Sequence, residues 1–214
     1  MNARQRKLVS GTASCRRKIV LFSAPLCFLL YTPICFAAVW HVDVDNASGT
    51  EDGTSWATAF STVQPAVDAA YAAGGGEVWV AEGTYTGTTD WIVVLADGVH
   101  VYGGFAGTET FKSERDWTIH VAEIDGEDVR GCVDAPVDIG TFDGFTVTRG
   151  SNFGGGGMDI GGGSLGPLVS NCIFIDNHST DRGGGISVSQ GAATVSDCTF
   201  IDNSADDVGG GIYI

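Results

Sequence analysis

Apolar positions in this chain recur in short, imperfect alternations rather than in helical stripes. The clearest instance is CTFIDNSADDVGGGIYI, Cys198 to Ile214, which nearly restates CIFIDNHSTDRGGGISV, Cys172 to Val188. Cys172 aligns with Cys198, Phe174 with Phe200, Asn177 with Asn203, Asp181 with Asp207 and Ile186 with Ile212, every pair 26 residues apart. A fixed period of this size signals stacked repeat units. A looser copy, DGFTVTRGSNFGGGGMDI, sets Phe145 and Met158 at the places of the Phe and the Ile, with one extra residue between them. Each copy reads as a short β-branched strand, a glycine corner and a second short strand. No helical pattern separates these strands. The expected fold is therefore all-β, a solenoid in which each turn of chain pairs with the turn above it, and a parallel β-helix fits best.

Stacking converts each repeated position into a column with a spacing of roughly 4.8 Å. Phe174 over Phe200 is expected as an interior aromatic stack, and Asn177 over Asn203 as an amide ladder at a turn. Cys172 over Cys198 falls within disulfide range by Cα separation. Parallel side-chain directions hold the Cβ atoms apart, however, so stacked free thiols are favoured over a bridge.

The pattern changes ahead of the repeats. Val39 to Asp43 and EVWVAEGTY from Glu77 alternate like strands, and a 3.6-residue period lies between them. Ser61 or Thr62 can cap a helix with Pro65 in its first turn, Val63, Val67, Ala70 and Tyr71 on one face, and Gly74 to Gly76 as its stop. A short amphipathic helix in front of a solenoid would cover the open apolar end. Trp40, Trp56, Trp79 and Trp91 are expected to pack under that cap, the rival reading being a sugar-stacking platform. Organisation follows as residues 38–96 for the cap and first turns and 97–214 for the repeats. Ile214 stops inside a repeat strand, so a longer natural protein is expected.

Residues 1–37 carry six basic residues and no acid, with bases from Arg4 to Lys18 and apolar residues dominating from Ile19 to Phe36. This order is that of a secretory signal, and Cys35-Phe36-Ala37 offers the cut. The rival is an uncleaved anchor, because 18 mostly apolar residues lie at the lower limit for a membrane span. Beyond the leader, five basic residues face all 26 acidic ones, a formal charge of −21. Such a field repels phosphate backbones and anionic lipid, which excludes nucleic-acid binding through a basic groove. Neutral sugars and calcium are better tolerated. Cys132, Cys172 and Cys198 remain after the leader, too few for a disulfide-built scaffold.

From WHVDVDNASGTEDGTSWATAFSTVQPAVDAAYAAGGGEVWVAEGTY onward, the chain resembles secreted bacterial proteins with the right-handed parallel β-helix, or pectin-lyase-like, fold. VYGGFAGTETFKSERDW and AEIDGEDV look like the next segment of such proteins. The FIDN and GGGI words are similar to the FxxN and GGA[ILV] repeats of the chlamydial polymorphic outer membrane proteins, with Gly185 and Gly211 where that family has Ala. The resemblance covers nearly all of residues 39–214 and is specific for fold rather than for function. It implies export to the outer membrane or extracellular space.

The chemistry implied by pectin-lyase-like enzymes does not carry over. Lyases of that group use Lys or Arg, and the only lysine beyond the leader, Lys112, lies in a connecting loop. The G-H-G and R-I-K words of the hydrolases are absent, as are G-x-S-x-G, H-E-x-x-H and a P-loop lysine. Arg149 and Arg182 read as solvated surface groups beside glycine turns. Calcium candidates are the segment with Asp43, Asp45, Glu51 and Asp52, and the columns Asp176 over Asp202 and Asp181 over Asp207. Those columns can also stand without a metal, since exposed charges ~5 Å apart repel by only about 1 kcal/mol in water. The expected function is adhesion, or contact with a polysaccharide or host-cell glycan, by a secreted or surface-exposed β-helix without catalysis in this segment. The mature part is expected as a monomer, or a fragment of a longer chain, without membrane insertion. The alternative is the N-terminal part of a pectin-lyase-like polysaccharide lyase or glycoside hydrolase, with catalytic residues on later turns.

Overall fold

Among the described residues, nineteen short strands wind into a stack of parallel turns, successive turns visiting three shared sheets in the same order. The computed structural model describes residues 38–162 and 164–214; the expected secretory leader lies outside them. One sheet contains Val39–Val42, Gly76–Ala81, Val99–Phe105, Gly140–Asp143, Leu168–Ser170 and Thr194–Ser196. The next contains Gly83–Tyr85, Ala122–Asp125, Phe145–Thr148, Ile173–Ile175 and Thr199–Ile201. A third holds Trp91–Val94, Gly131–Asp134, Met158–Ile160, Ile186–Val188 and Ile212–Tyr213. Between the second and third, the later turns add a fourth sheet of Ser151–Gly154, His178–Arg182 and Ser204–Ala205. All strand pairs are parallel, as a coil of chain stacked on itself requires.

Because side chains alternate along a strand, one residue in two points into the coil. Three interior columns result: Val78, Val101, Phe142 and Val169 in the first sheet, Tyr85, Ile124, Val147 and Phe174 in the second, and Val93, Val133, Met158 and Ile186 in the third. All these residues are fully or almost fully buried. Phe174 and Phe200 stack with centroids 5.1 Å apart and planes 6° from parallel, as the repeat predicts. Their Asn partners form the expected ladder. Asn177 Nδ2 donates to the Val147 carbonyl and to Asn203 Oδ1, both at 2.9 Å, while Asn177 Oδ1 accepts the Gly150 N–H at 2.8 Å. Asn203 repeats the device one turn on, accepting the Asn177 N–H at 3.1 Å and donating to the Phe174 carbonyl at 2.8 Å.

The looser copy is placed differently from the sequence alignment. Val147, not Phe145, pairs with Phe174, and Ser151 pairs with His178. Phe145 therefore falls at the place of Cys172 and stacks on Phe142 at 4.3 Å. Met158 does pair with Ile186, so this turn is one residue shorter than the later ones rather than one longer. A register shift between Asn152 and Gly154 absorbs the difference.

The helix spans Val63–Ala72, with Thr62 at its N-terminal boundary and Ala73 at its end. It buries Val63, Ala66, Val67 and Ala70, but Tyr71 is 60% exposed and belongs to the outer face. Thr62 makes no side-chain capping bond. Gln64 supplies the covering device: its Oε1 accepts the Val94 N–H at 2.6 Å and its Nε2 donates to the Val94 carbonyl at 3.2 Å. One side chain thus satisfies backbone groups on the edge strand of the third sheet, the kind of protection that an open sheet needs.

Of the four tryptophans expected under this helix, Trp40 shares the inward column of Val78, whereas Trp56, Trp79 and Trp91 lie elsewhere. Trp79 lies on the outer side of the first sheet, since Val78 and Val80 point inward, and stacks on Phe105 at 4.8 Å. His41 approaches Trp56 edge-on at 4.6 Å, and Trp56 donates to the Glu109 carbonyl at 3.0 Å. Trp40 packs partly against the core, and Trp91 lies on the third sheet over Gly131.

Candidate functional site

Lys112, the one lysine of the described residues, holds a loop. Its Nζ sits 2.6 Å from Glu77 Oε1 and 4.0 Å above the Tyr102 ring. Three residues on, Arg115 pairs with Asp143, donates to the Gly103 carbonyl at 2.9 Å and lies over Tyr102 and Trp117. Asp143 further accepts from Ser170 Oγ at 2.5 Å and Asn171 Nδ2 at 3.0 Å. This network anchors the 106–117 loop to the outer face of the first sheet. Arg149 and Arg182 are likewise engaged. Arg149 pairs with Asp125, while Arg182 reaches Asp181 at 3.4 Å and donates to the Tyr213 hydroxyl at 2.8 Å.

The proposed calcium ligands have local partners. Asp43 accepts the Asp45 N–H at 2.9 Å. Asp52 Oδ1 accepts from the Thr54 N–H, the Thr54 hydroxyl and the Thr58 hydroxyl, and these bonds hold its carboxyl below the usual range. Glu51 is exposed beside them. Asp176 and Asp202 occupy a corner with φ of 56° and 49°, where Arg149 stands one turn earlier at 50°. Asp tolerates this left-handed conformation better than most residues, which accounts for the column by turn chemistry. Asp181 and Asp207 are linked through backbone, the Asp207 N–H donating to the Asp181 carbonyl at 3.0 Å. Among the described residues, no three His, Cys, Asp or Glu side chains form a group that could hold a metal ion.

A different carboxylate, Asp159, lines a groove, with Asp134 beside it on the preceding turn. Asp134 and Asp159 are paired positions on the third sheet, adjacent to inward-facing Val133 and Met158, so both carboxyls point outward one strand spacing apart. Ser187 and Tyr213 continue the column on the next two turns. Burial, and then the charge of Asp134, push the Asp159 carboxyl above its ordinary pKa; burial does the same to Asp134. Asp159 Oδ1 is shut off from solvent without a hydrogen-bond partner.

The space above Asp159 measures about 490 Å³ and runs between the third and fourth sheets. Trp91, Phe153 and Tyr213 supply aromatic surface to it, and Asp159, Asp181 and Arg182 supply charge. Phe153 is 70% exposed, so its ring face is open to solvent. Such an arrangement offers ring faces for stacking and carboxylate acceptors for hydroxyl donors, with a net negative character that disfavours anionic ligands. In the sequence Asp181, Arg182 and Trp91 stand out separately, whereas Asp134, Asp159, Phe153 and Tyr213 stand at no letter that the 26-residue repeat keeps. The available signal was that VDA and MDI each put an Asp directly after an inward apolar residue.

Residues 171–189 and 197–214 match the family model of the Chlamydia polymorphic membrane protein (Chlamydia_PMP) repeat. The two matched segments are the two turns that carry the Phe stack and the Asn ladder. Comparison with curated proteins and with solved structures gives no match. The chain is thus a β-helix repeat protein similar to polymorphic membrane proteins. No helix among the described residues is long and apolar enough to cross a membrane.

Proposed function

We propose that this β-helix repeat protein is displayed at the cell surface and contacts glycans along the groove of its third sheet, without acting on them chemically. The observation that carries the reading is the meeting of three aromatic side chains, Trp91, Phe153 and Tyr213, with the Asp159 and Asp181 carboxylates around one open groove. Sugars present apolar ring faces and radial hydroxyls, which aromatic faces and carboxylate acceptors match. Surface display rests on the polymorphic membrane protein repeats, with the basic and apolar order of residues 1–37 as the export signal. The formal charge of −15 argues for neutral or amino sugars over uronates, and against nucleic acid.

Binding to a panel of immobilised polysaccharides tests this directly. The expected result is retention on neutral or amino-sugar polymers that weakens on Trp91→Ala; retention on uronate polymers alone, or on none, would remove the reading. A second reading, glycoside hydrolysis, is favoured by the stacking of Asp134 and Asp159 on neighbouring turns, since a pair of close carboxyl groups, one with a raised pKa, is what glycosidic cleavage uses. New reducing ends released from a bound polymer, and lost on Asp159→Asn, would establish it in place of simple contact.

A further inference from the structure

Cations are scarce in this chain, and each of the five lysines and arginines among the described residues already faces a carboxylate. Lys112, Arg115, Arg149 and Arg182 hold the partners described above, and Arg130 holds Glu127 at 2.6 Å. Among the described residues none of these cations reaches Asp159 or Asp134 within ion-pair distance. The two carboxyls nevertheless stack on adjacent turns, on the same outer face of the third sheet. Asp159 Oδ1 is closed off from solvent without a hydrogen-bond partner. Burial, and second the charge of Asp134, oppose ionisation of Asp159, so an added cation gains more here than beside an exposed carboxylate.

The other oxygen of Asp159 has space beside it in the groove. A Cβ added to Gly154, which lines the groove, would lie 3.0 Å from Asp159 Oδ2, so the missing side chain keeps that place open. The φ of Gly154 lies outside the left-handed region, so backbone geometry does not call for glycine there. Trp91 and Phe153 border the same groove, with ring faces suited to a sugar and to a cation carried by it. Two carboxylates fall short of the about six to eight oxygens that calcium gathers, and among the described residues no three His, Cys, Asp or Glu side chains meet. An organic ammonium needs only a few acceptors and suits the place better.

We propose that the groove selects glycans carrying a free, protonated amino group, whose ammonium docks against Asp159 Oδ2 beside Gly154 while Trp91 and Phe153 take the sugar ring faces. The selectivity rests on the glycan-contact reading of the groove and narrows it from sugars in general to unsubstituted amino sugars. N-acetylation removes the charge and adds bulk at the atom that meets Asp159. A hydroxyl in the same place makes an uncharged and weaker hydrogen bond. Uronates and other acidic sugars bring a like charge to a carboxylate that already lacks a counter-ion.

The test is calorimetric titration of the full chain with oligomers of glucosamine, N-acetylglucosamine and glucose, matched in linkage and length, in mildly acidic, low-salt buffer that keeps the sugar amine protonated. The glucosamine oligomer should bind roughly tenfold more tightly than the other two, the difference between a charged and a neutral hydrogen bond, and high salt should shrink that advantage. Asp159→Asn should remove the advantage, and Gly154→Ala, which puts a methyl beside Oδ2, should cut it several-fold. Equal binding of the three oligomers by the unaltered chain would overturn the amine selectivity while leaving glycan contact in place, whereas binding of none would remove both. A glucosamine preference that survives Asp159→Asn, tighter binding of an oligolysine peptide, or displacement of the sugar by calcium would each overturn the proposal. The comparison of oligomers on the unaltered chain decides the selectivity even if a variant fails to fold.

Discussion

Asn177 is the residue whose loss should be felt most strongly for its size. Its side chain is completely buried and makes three hydrogen bonds, to the Gly150 N–H, the Val147 carbonyl and Asn203 Oδ1. Asn177→Ala leaves the buried Gly150 N–H without its partner and removes a donor from two acceptors. An orphaned buried donor costs about 1–3 kcal/mol, and each further lost bond about 1 kcal/mol, so the variant should be destabilised by about 3–5 kcal/mol. With a urea slope of about 2 kcal/mol per molar, the unfolding midpoint falls by about 1.5–2.5 M. Asn203→Ala removes a comparable set of bonds at a half-exposed position, where water substitutes, and should cost only about 1–2 kcal/mol. Urea unfolding followed by far-ultraviolet circular dichroism reads both. If Asn177→Ala costs less than about 1 kcal/mol, or no more than Asn203→Ala, the ladder is not what holds these corners.

Asp159→Asn is expected to stabilise the protein at neutral pH by about 1 kcal/mol, through relief of the burial of a charge and, second, of repulsion from Asp134, discounted for solvent screening. Because the folded-state pKa of Asp159 is raised, its favourable contribution is complete below the ordinary value of 3.8 and is lost as pH rises through the folded value; thermal melts should therefore show the variant's advantage at pH 7 vanishing in acid. Arg115→Ala leaves Asp143 nearly buried without its cation, and a loss of about 3–5 kcal/mol in denaturant unfolding is expected; a loss below 1 kcal/mol would mean that Ser170 and Asn171 suffice. Gly183 has φ of 61°, and an added Cβ would lie 2.2 Å from the Ile186 carbonyl oxygen, so Gly183→Ala should lower stability by about 2 kcal/mol or more in the same assay.

The columns of the last two turns were legible because each structural role falls on the same letter at a constant interval. Phe174 and Phe200, Asn177 and Asn203, and Ile186 and Ile212 needed only the period. Where a turn changes length, letters mislead: Phe145 resembles the repeat Phe by type, but the one-residue shift between Asn152 and Gly154 leaves it at the cysteine position. Trp56 and Trp79 were recognisable as packed aromatics, yet the face they cover depends on the alternation of Val78 and Val80 and on a loop folding back. The groove was the least legible part. Its column reads Asp134, Asp159, Ser187 and Tyr213, a letter kept over two turns and then changed twice, and its aromatic walls come from two sheets. Asp176 and Asp202 show the converse, a repeated acidic letter explained by a left-handed corner.

The most direct measurement is a two-dimensional NMR titration of the indole N–H signals with a neutral oligosaccharide drawn from a polymer that retains the protein. The signal of Trp91, in the groove, should shift progressively and saturably, while those of Trp40, Trp56 and Trp79 stay in place. Shifts confined to Trp56 and Trp79, or an unmoved Trp91 at saturating ligand, would contradict glycan contact through the third-sheet groove.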